Sequence, residues 1–231
     1  MRKVFPTIRW RRVLAAPAAA GLLAALSPIA VPVASAQPCP DVEVIFARGT
    51  TEPPGVGGFG QAFVDGLRAQ AGARTVTVYP VDYPASTDFP TAGAGIVDAS
   101  RHISATAANC PATKMVLGGY SQGAAVIGYV TTDTLPTGFA LPAGITGPMP
   151  AEVADHVAAV VLFGKPSTDF LRGIDAPPIV IGARYAPKTL DLCAPGDPIC
   201  TPGGGGSGVA HAMYAVDGMV GQGVGFAAAH L

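Results

Sequence analysis

Residues 115–130 read MVLGGYSQGAAVIGYV. The front of this stretch belongs to a short apolar run, 113–119, that fits a strand buried on both faces. From 122 to 133 the apolar spacing becomes helical. Ser121 stands at the corner, with Gly119 two residues before it and Gly123 two residues after. A G-x-S-x-G match arises readily by chance in a chain with 30 glycines, so the pattern alone says little. At a strand-to-helix corner it says more. The chain must turn so sharply there that side chains two positions either side of the serine would collide, and glycine removes the offending Cβ atoms. The turn projects the hydroxyl outward at a helix N-terminus, where the dipole favours developing negative charge. The plainer alternative is a serine N-cap with glycines for close packing.

The same alternation extends in both directions. Apolar runs at 42–48, 75–83, 113–119, 157–164 and 178–185 read as five strands. Amphipathic stretches at 58–72, 92–110 and 122–133 read as helices, and 212–231 as a final helix despite its glycines. Continuously apolar strands separated by helices imply a parallel sheet covered on both faces. Right-handed crossovers then favour one three-layer α/β domain, its five parallel strands in the order 2-1-3-4-5. In such sheets the site lies beyond the carboxyl ends of the strands. The segment PGGGGSG (202–208) reads as a loop.

The chain has 231 residues, and its first 36 read as a signal peptide. Arg2, Lys3, Arg9, Arg11 and Arg12 precede an apolar stretch that ends at a small-x-small site, Ala34-Ser35-Ala36. Pro17, Pro28 and Pro32 argue against a permanent spanning helix, and no later stretch is apolar enough to span a bilayer. What remains, 37–231, is sized for one domain. It keeps nine of the 14 basic residues and all 15 acidic ones, a net charge of −6, which excludes a nucleic-acid footprint. Four cysteines follow the leader, an even number suited to an oxidising compartment. Three pairings are open. Proximity favours Cys193 with Cys200, leaving Cys39 with Cys110. Paired C-x-x-C elements, which a zinc site would want, are missing.

A serine nucleophile needs a base, and the base an orienting carboxylate. In a sheet of this kind they follow in the order Ser, acid, His. His102 precedes the serine and reads as a solvated helix residue. His156 sits ahead of the fourth strand, on the wrong edge of the sheet, and His230 is penultimate. His211, after the glycine-rich loop and at the start of the final helix, can reach the carboxyl edge. Asp191 and Asp197 are the candidate acids. Asp197 is favoured, because a Cys193–Cys200 bridge would hold it rigid. The oxyanion needs donors. The corner supplies the Gln122 N–H, and Thr50, at the end of the first strand, is placed to supply a second.

FARGTTEPPGVG (46–57), GGYSQGAA (118–125) and CAPGDPIC (193–200) followed by AHAMY (210–214) resemble the cutinase family of secreted serine esterases, in particular its bacterial members. The resemblance spans about residues 39–225, in the right order. It implies Ser121 as nucleophile, Asp197 as acid and His211 as base. It also implies an oxyanion hole from Thr50 and Gln122, bridges Cys39–Cys110 and Cys193–Cys200, and ester hydrolysis without a metal or cofactor. The chain departs from the fungal pattern in having Thr rather than Ser at 50, whose methyl narrows its rotamers. The glycine-rich loop before His211 differs as well.

Few charges lie near these residues. Apolar walls are expected from Tyr83, Pro84 and Phe89 on one side, and from Val209, Ala210 and Met213 on the other. No long amphipathic insert precedes His211, so no substantial lid is expected. The reading that follows is a monomeric esterase on short to medium acyl chains, secreted or held at the cell envelope, with cutin-like polyesters or lipids as possible substrates. The alternatives are a phospholipase or thioesterase on the same residues, or a non-catalytic lipid-binding envelope protein.

Overall fold

The computed structural model describes residues 38–231; the leader read over 1–36 lies outside the described residues. Five parallel strands form one sheet in the order β2-β1-β3-β4-β5. They are β1 (Val42–Ala47), β2 (Val76–Pro80), β3 (Lys114–Tyr120), β4 (Val157–Phe163) and β5 (Thr189–Leu192). The three central strands are buried almost throughout, which is why they read as unbroken apolar runs.

Helices cover both faces. On one, α1 (Gly57–Gln70) packs with α6 (Met219–Ala229), and Phe46, Phe63, Leu67, Val116, Phe163 and Val224 share one core. On the other lie α2 (Ala92–Asn109) and α3 (Gln122–Val130), where Ile45, Ile103, Leu117, Ile127, Val160 and Leu162 meet. Two short helices, α4 (Thr168–Gly173) and α5 (Gly208–Ala212), sit in the connections. Among the described residues no helix is long and apolar enough to cross a membrane.

Strand register brings the functional segments to one edge. Ala47 at the end of β1 pairs with Gly119, and Tyr120 at the end of β3 pairs with Phe163 at the end of β4. The residues that follow each strand, from Arg48, Ser121 and Gly164, therefore emerge side by side. Two disulfides tie the periphery. Cys39–Cys110 closes a span of 71 residues and fastens the start of the domain beside β3; Cys193–Cys200 closes one of 7. By loop-closure entropy the long span stabilises by about 4 kcal/mol and the short one by about 2–3.

Two expected elements differ. The fifth strand is not 178–185 but Thr189–Leu192. The apolar run PIVIGARY lies against the end of α3 instead: Ile179 fills the space left by Gly128, the Gly182 N–H bonds to Thr131 O at 2.8 Å, and the Ala183 N–H bonds to Asp133 Oδ2 at 2.6 Å. Pro177 and Pro178 withhold two amides that a strand would need. The expected final helix over 212–231 is two helices with a turn between. Gly218 breaks it at φ +87°, a left-handed conformation natural to glycine, and Tyr214 in the turn is wholly buried.

Candidate active site

Ser121 belongs to neither flanking element. Its φ of 56° and ψ of −119° are a costly conformation for a residue with a Cβ. The surroundings hold it there. Its N–H donates to Phe163 O at 2.8 Å, and its carbonyl accepts from the Ala125 N–H at 3.1 Å in the first turn of α3. A Cβ on Gly119 would strike the carbonyl of Gly123, and one on Gly123 the carbonyl of Ala47. Backbone therefore occupies the space any larger residue would need, as the sequence pattern implied.

His211 and Asp197 meet this serine. His211 Nε2 lies 2.8 Å from Ser121 Oγ, and its Nδ1 lies 2.7 Å from Asp197 Oδ2. The imidazole comes from α5, and its backbone is fixed by the Tyr120 hydroxyl, which donates to His211 O at 2.7 Å. The Tyr120 ring also stacks on the imidazole with centroids 5.1 Å apart. Asp197 has no exposed surface. Its loop is closed by the Cys193–Cys200 bridge, and its own N–H donates to Ala194 O at 3.0 Å.

Three donors serve the buried carboxylate: His211 Nδ1, the Tyr214 hydroxyl to Oδ2 at 2.6 Å, and the Ile199 N–H to Oδ1 at 2.8 Å. Burial alone would push the carboxyl up. The bonds from Tyr214, His211 and Ile199, with the attraction of the imidazole, outweigh it and hold the group below the ordinary carboxylate value. Burial and the neighbouring carboxylate push the Tyr214 phenol up, so it stays a donor. The tyrosine also accepts from the Ala194 N–H at 3.0 Å, locking it to the disulfide loop. Sequence reasoning missed Tyr214, although it lies only three residues after His211.

The other candidates are elsewhere. Asp191 is part of β5, with its carboxylate 3.2 Å from Lys165 Nζ. His156 precedes β4 at the amino edge, its Nδ1 3.0 Å from Pro111 O. His230 follows α6 and bonds to Phe226 O. His102 is tied down rather than freely solvated: Nε2 lies 3.0 Å from Glu43 Oε1, and the ring stacks on Tyr79 at 3.4 Å. Among the described residues no cluster of three or more His, Cys, Asp or Glu is arranged to hold a metal.

Thr50 and Gln122 flank Ser121 in the wall of a cavity of about 280 Å³ that also contains His211. Gln122 opens α3, and the first amides of a helix have no intrahelical partner, so its N–H points away from the helix. Its side chain is buried, with Nε2 donating to Ser86 O at 3.0 Å and Oε1 lacking a partner. Thr50 is pinned from both sides. Glu52 accepts from the N–H groups of Gly49 and Gly58 at 2.7 Å each, and the Thr51 N–H donates to Ala85 O at 2.7 Å.

Of the expected apolar walls, Phe89 lines the cavity. Tyr83 does not. Its ring is buried beneath the Arg48 guanidinium at 5.1 Å, its hydroxyl donates to Arg48 O, and its carbonyl accepts from Arg48 at 2.6 Å. It braces the loop that carries Thr50 instead of touching the cavity. Val209 and Met213 are exposed, 68% and 41%, and stand outside the cavity wall. The walls come mainly from Ala125 and Tyr129 on α3 and from Phe170, Leu171 and Ile174 on and just after α4. Sequence reasoning missed Ala125 and Tyr129, although they stand one and two helical turns beyond Ser121. The six-residue α4 offers too short a pattern to read.

A family model described as Cutinase matches residues 38–231. "Probable carboxylesterase Culp5" of Mycobacterium tuberculosis is 59% identical over 175 residues, covering 76% of this chain and 98% of that protein. "Phospholipase Culp4" of the same organism is 48% identical over 219 residues, 95% of this chain and 90% of that one. Among solved structures, Trichoderma reesei cutinase in complex with a C11Y4 phosphonate inhibitor superposes with a TM-score of 0.62 at 34% identity, over 84% of this chain and 77% of the other. With the whole described domain matched and a relative more than half identical, the chain belongs to the cutinase family and is a carboxylic ester hydrolase.

Proposed function

We propose that the chain is a secreted esterase that cleaves esters of apolar acyl groups, short to medium chains among them, through an acyl-enzyme on Ser121. The observation that carries this is the unbroken series Ser121 Oγ, His211, Asp197, with links of 2.8 and 2.7 Å. His211 Nε2 takes the hydroxyl proton as Oγ bonds to the ester carbonyl carbon. Asp197 holds the Nδ1–H tautomer and balances the imidazolium. The carbonyl electrons move onto the oxygen, which the N–H groups of Gln122 and Thr50 stabilise. Collapse breaks the bond to the alcohol oxygen, and His211 returns its proton to that leaving group. Water then repeats the sequence on the acyl-enzyme, releasing the acid and restoring Ser121.

Export is supported by the basic-apolar-small leader ending at Ala36 and by two disulfides in the domain. The series Ser121, His211 and Asp197 closes within a single chain, which supports reading the enzyme as a monomer. The relative named a phospholipase favours a second reading, in which the same residues cleave acyl groups from phospholipid. Hydrolysis of a soluble butyrate ester and of phosphatidylcholine vesicles, measured side by side, tests both. Butyrate turnover at least tenfold above phospholipid turnover is expected. The reverse order would make the phospholipase reading the better one, and turnover of neither by folded protein would leave a lipid-binding role.

A further inference from the structure

Among the described residues, four other than glycine have positive φ: Thr51 at 64°, Ala85 at 50°, Ser121 at 56° and Asp175 at 54°. The conformation is costly for any residue with a Cβ, most of all for β-branched Thr51. Ser121 is the proposed nucleophile, and two of the others stand beside it. The Thr51 N–H donates to Ala85 O at 2.7 Å, and the next carbonyl along, Ser86 O, accepts from Gln122 Nε2 at 3.0 Å. Gln122 keeps this bond although burial leaves its Oε1 without a partner. Segment 83–86 therefore bridges the loop after β1 and the start of α3. Residues 49–52 form a turn closed by the Glu52 N–H on Gly49 O at 3.2 Å, with Thr51 at the third position, where a positive φ ordinarily calls for glycine. In a trans peptide the C=O and N–H point opposite ways. The Gly49 carbonyl faces into the turn, so the Thr50 N–H faces out of it. Arg48 spans both pieces. It is only 4% exposed, and it donates from Nε to Glu52 O at 2.9 Å and from Nη2 to Tyr83 O at 2.6 Å.

We propose that Arg48 is a positioning residue for ester hydrolysis: it clamps the 49–52 turn to segment 83–86, and through them holds the N–H groups of Thr50 and Gln122 in register on one oxygen. Thr50 and Gln122 enter as the oxyanion donors proposed above, and the clamp rests on that reading. Two donors stabilise one oxyanion only if both stay within hydrogen-bond range of the place it will occupy. These two come from different strand ends, so the distance between them has to be fixed. The β1–β3 pairing ends at Ala47 and Gly119, short of both. Beyond it the link runs from Arg48 to Tyr83, along 83–86, and back through Ser86 O to Gln122. Thr51 and Ala85 lie on this path, joined by their own hydrogen bond. A relaxed residue at 51 would free the Gly49–Thr50 peptide to rotate. Strain at that position belongs where geometry is held rather than where stability is gained. Arg48 is not in the wall of the cavity that holds Ser121, so it acts through these residues and not on substrate.

The test measures kcat and KM for 4-methylumbelliferyl butyrate, with a thermal melt, on wild type, Arg48→Met, Arg48→Lys and Thr51→Gly. Donors out of register weaken the transition state and not the bound ester, so the effect belongs in kcat. Arg48→Met should lose at least tenfold in kcat with KM within twofold of wild type. Arg48→Lys keeps the charge but lacks the planar fork that serves two carbonyls, and should recover part of that loss. Thr51→Gly separates positioning from stability. Glycine relaxes the left-handed residue, so Tm should hold or rise while kcat falls at least threefold. This variant carries the test if Arg48→Met does not fold. A smaller loss of kcat in either folded variant, or a loss that appears in KM instead, would overturn the clamp and leave the role of Ser121 standing. So would a Thr51→Gly that loses Tm along with kcat, the mark of a purely structural part. No butyrate turnover by the wild type would overturn the role of Ser121 and the clamp with it.

Discussion

Ser121→Ala should lower kcat for a butyrate ester by a factor on the order of 10⁶, leaving only the residual rate that binding and the oxyanion donors supply. The loss is large because, among the described residues, Ser121 Oγ is the one side-chain oxygen hydrogen-bonded to His211 Nε2, at 2.8 Å. Stability should hardly move. The hydroxyl makes one partly buried hydrogen bond, worth about 1 kcal/mol net, and in a domain of this size that shifts Tm by roughly 2–4 °C. The backbone strain at φ 56° is untouched, since alanine has the same Cβ. Steady-state rates on a preparation purified away from wild type, with a thermal melt beside them, check both parts. A fall of less than a hundredfold would mean that the chemistry is done elsewhere.

Asp197→Asn is the second large effect, expected at about 10⁴ in kcat. The carboxylate only accepts, and its three partners all donate. An amide must turn its NH₂ towards one of them. If it faces His211, the imidazole is driven to the tautomer with its proton on Nε2, which can no longer accept from Ser121. The substitution should also cost about 2 kcal/mol at neutral pH, because a buried charged acceptor is lost. The sign of the pH dependence follows from the shift. The folded-state pKa of Asp197 lies below the ordinary aspartate value of 3.8, so its contribution is fully present above that value and is lost as pH falls through the folded one. Urea unfolding across pH 7 to 2 should show the wild-type advantage constant at the upper end and shrinking below pH 4. An advantage that grows on acidification would contradict this account of the carboxylate.

Much of this was written locally in the chain. The serine corner announces itself because its constraint is steric and short-range: Gly119 and Gly123 are within two residues of Ser121. The central strands are legible because burial on both faces leaves no polar position to interrupt them. Asp197 and His211 were favoured from chain order plus a short loop closed by Cys193–Cys200. What escaped reading depends on partners distant in sequence. PIVIGARY is as apolar as a strand, but its place is decided by Gly128 and Asp133, some 50 residues earlier. The true β5, TLDL, is short and half polar because it is the edge of the sheet. Tyr83, the last residue of the expected strand 75–83, was read as a pocket wall, yet its pairing with Arg48 turns it inward. Tyr214 was invisible as a support for Asp197, since nothing in the sequence separates a buried aromatic from one whose hydroxyl meets a carboxylate.

The account rests on one oxygen being made nucleophilic by one imidazole. A fluorophosphonate probe, followed by peptide mass spectrometry, tests that most directly. Wild type should carry a single adduct, on Ser121, forming as ester turnover disappears; Asp197→Asn should label far more slowly, and Ser121→Ala not at all. Folded wild type that stays unlabelled while hydrolysing esters, or an adduct on any other residue, would contradict it.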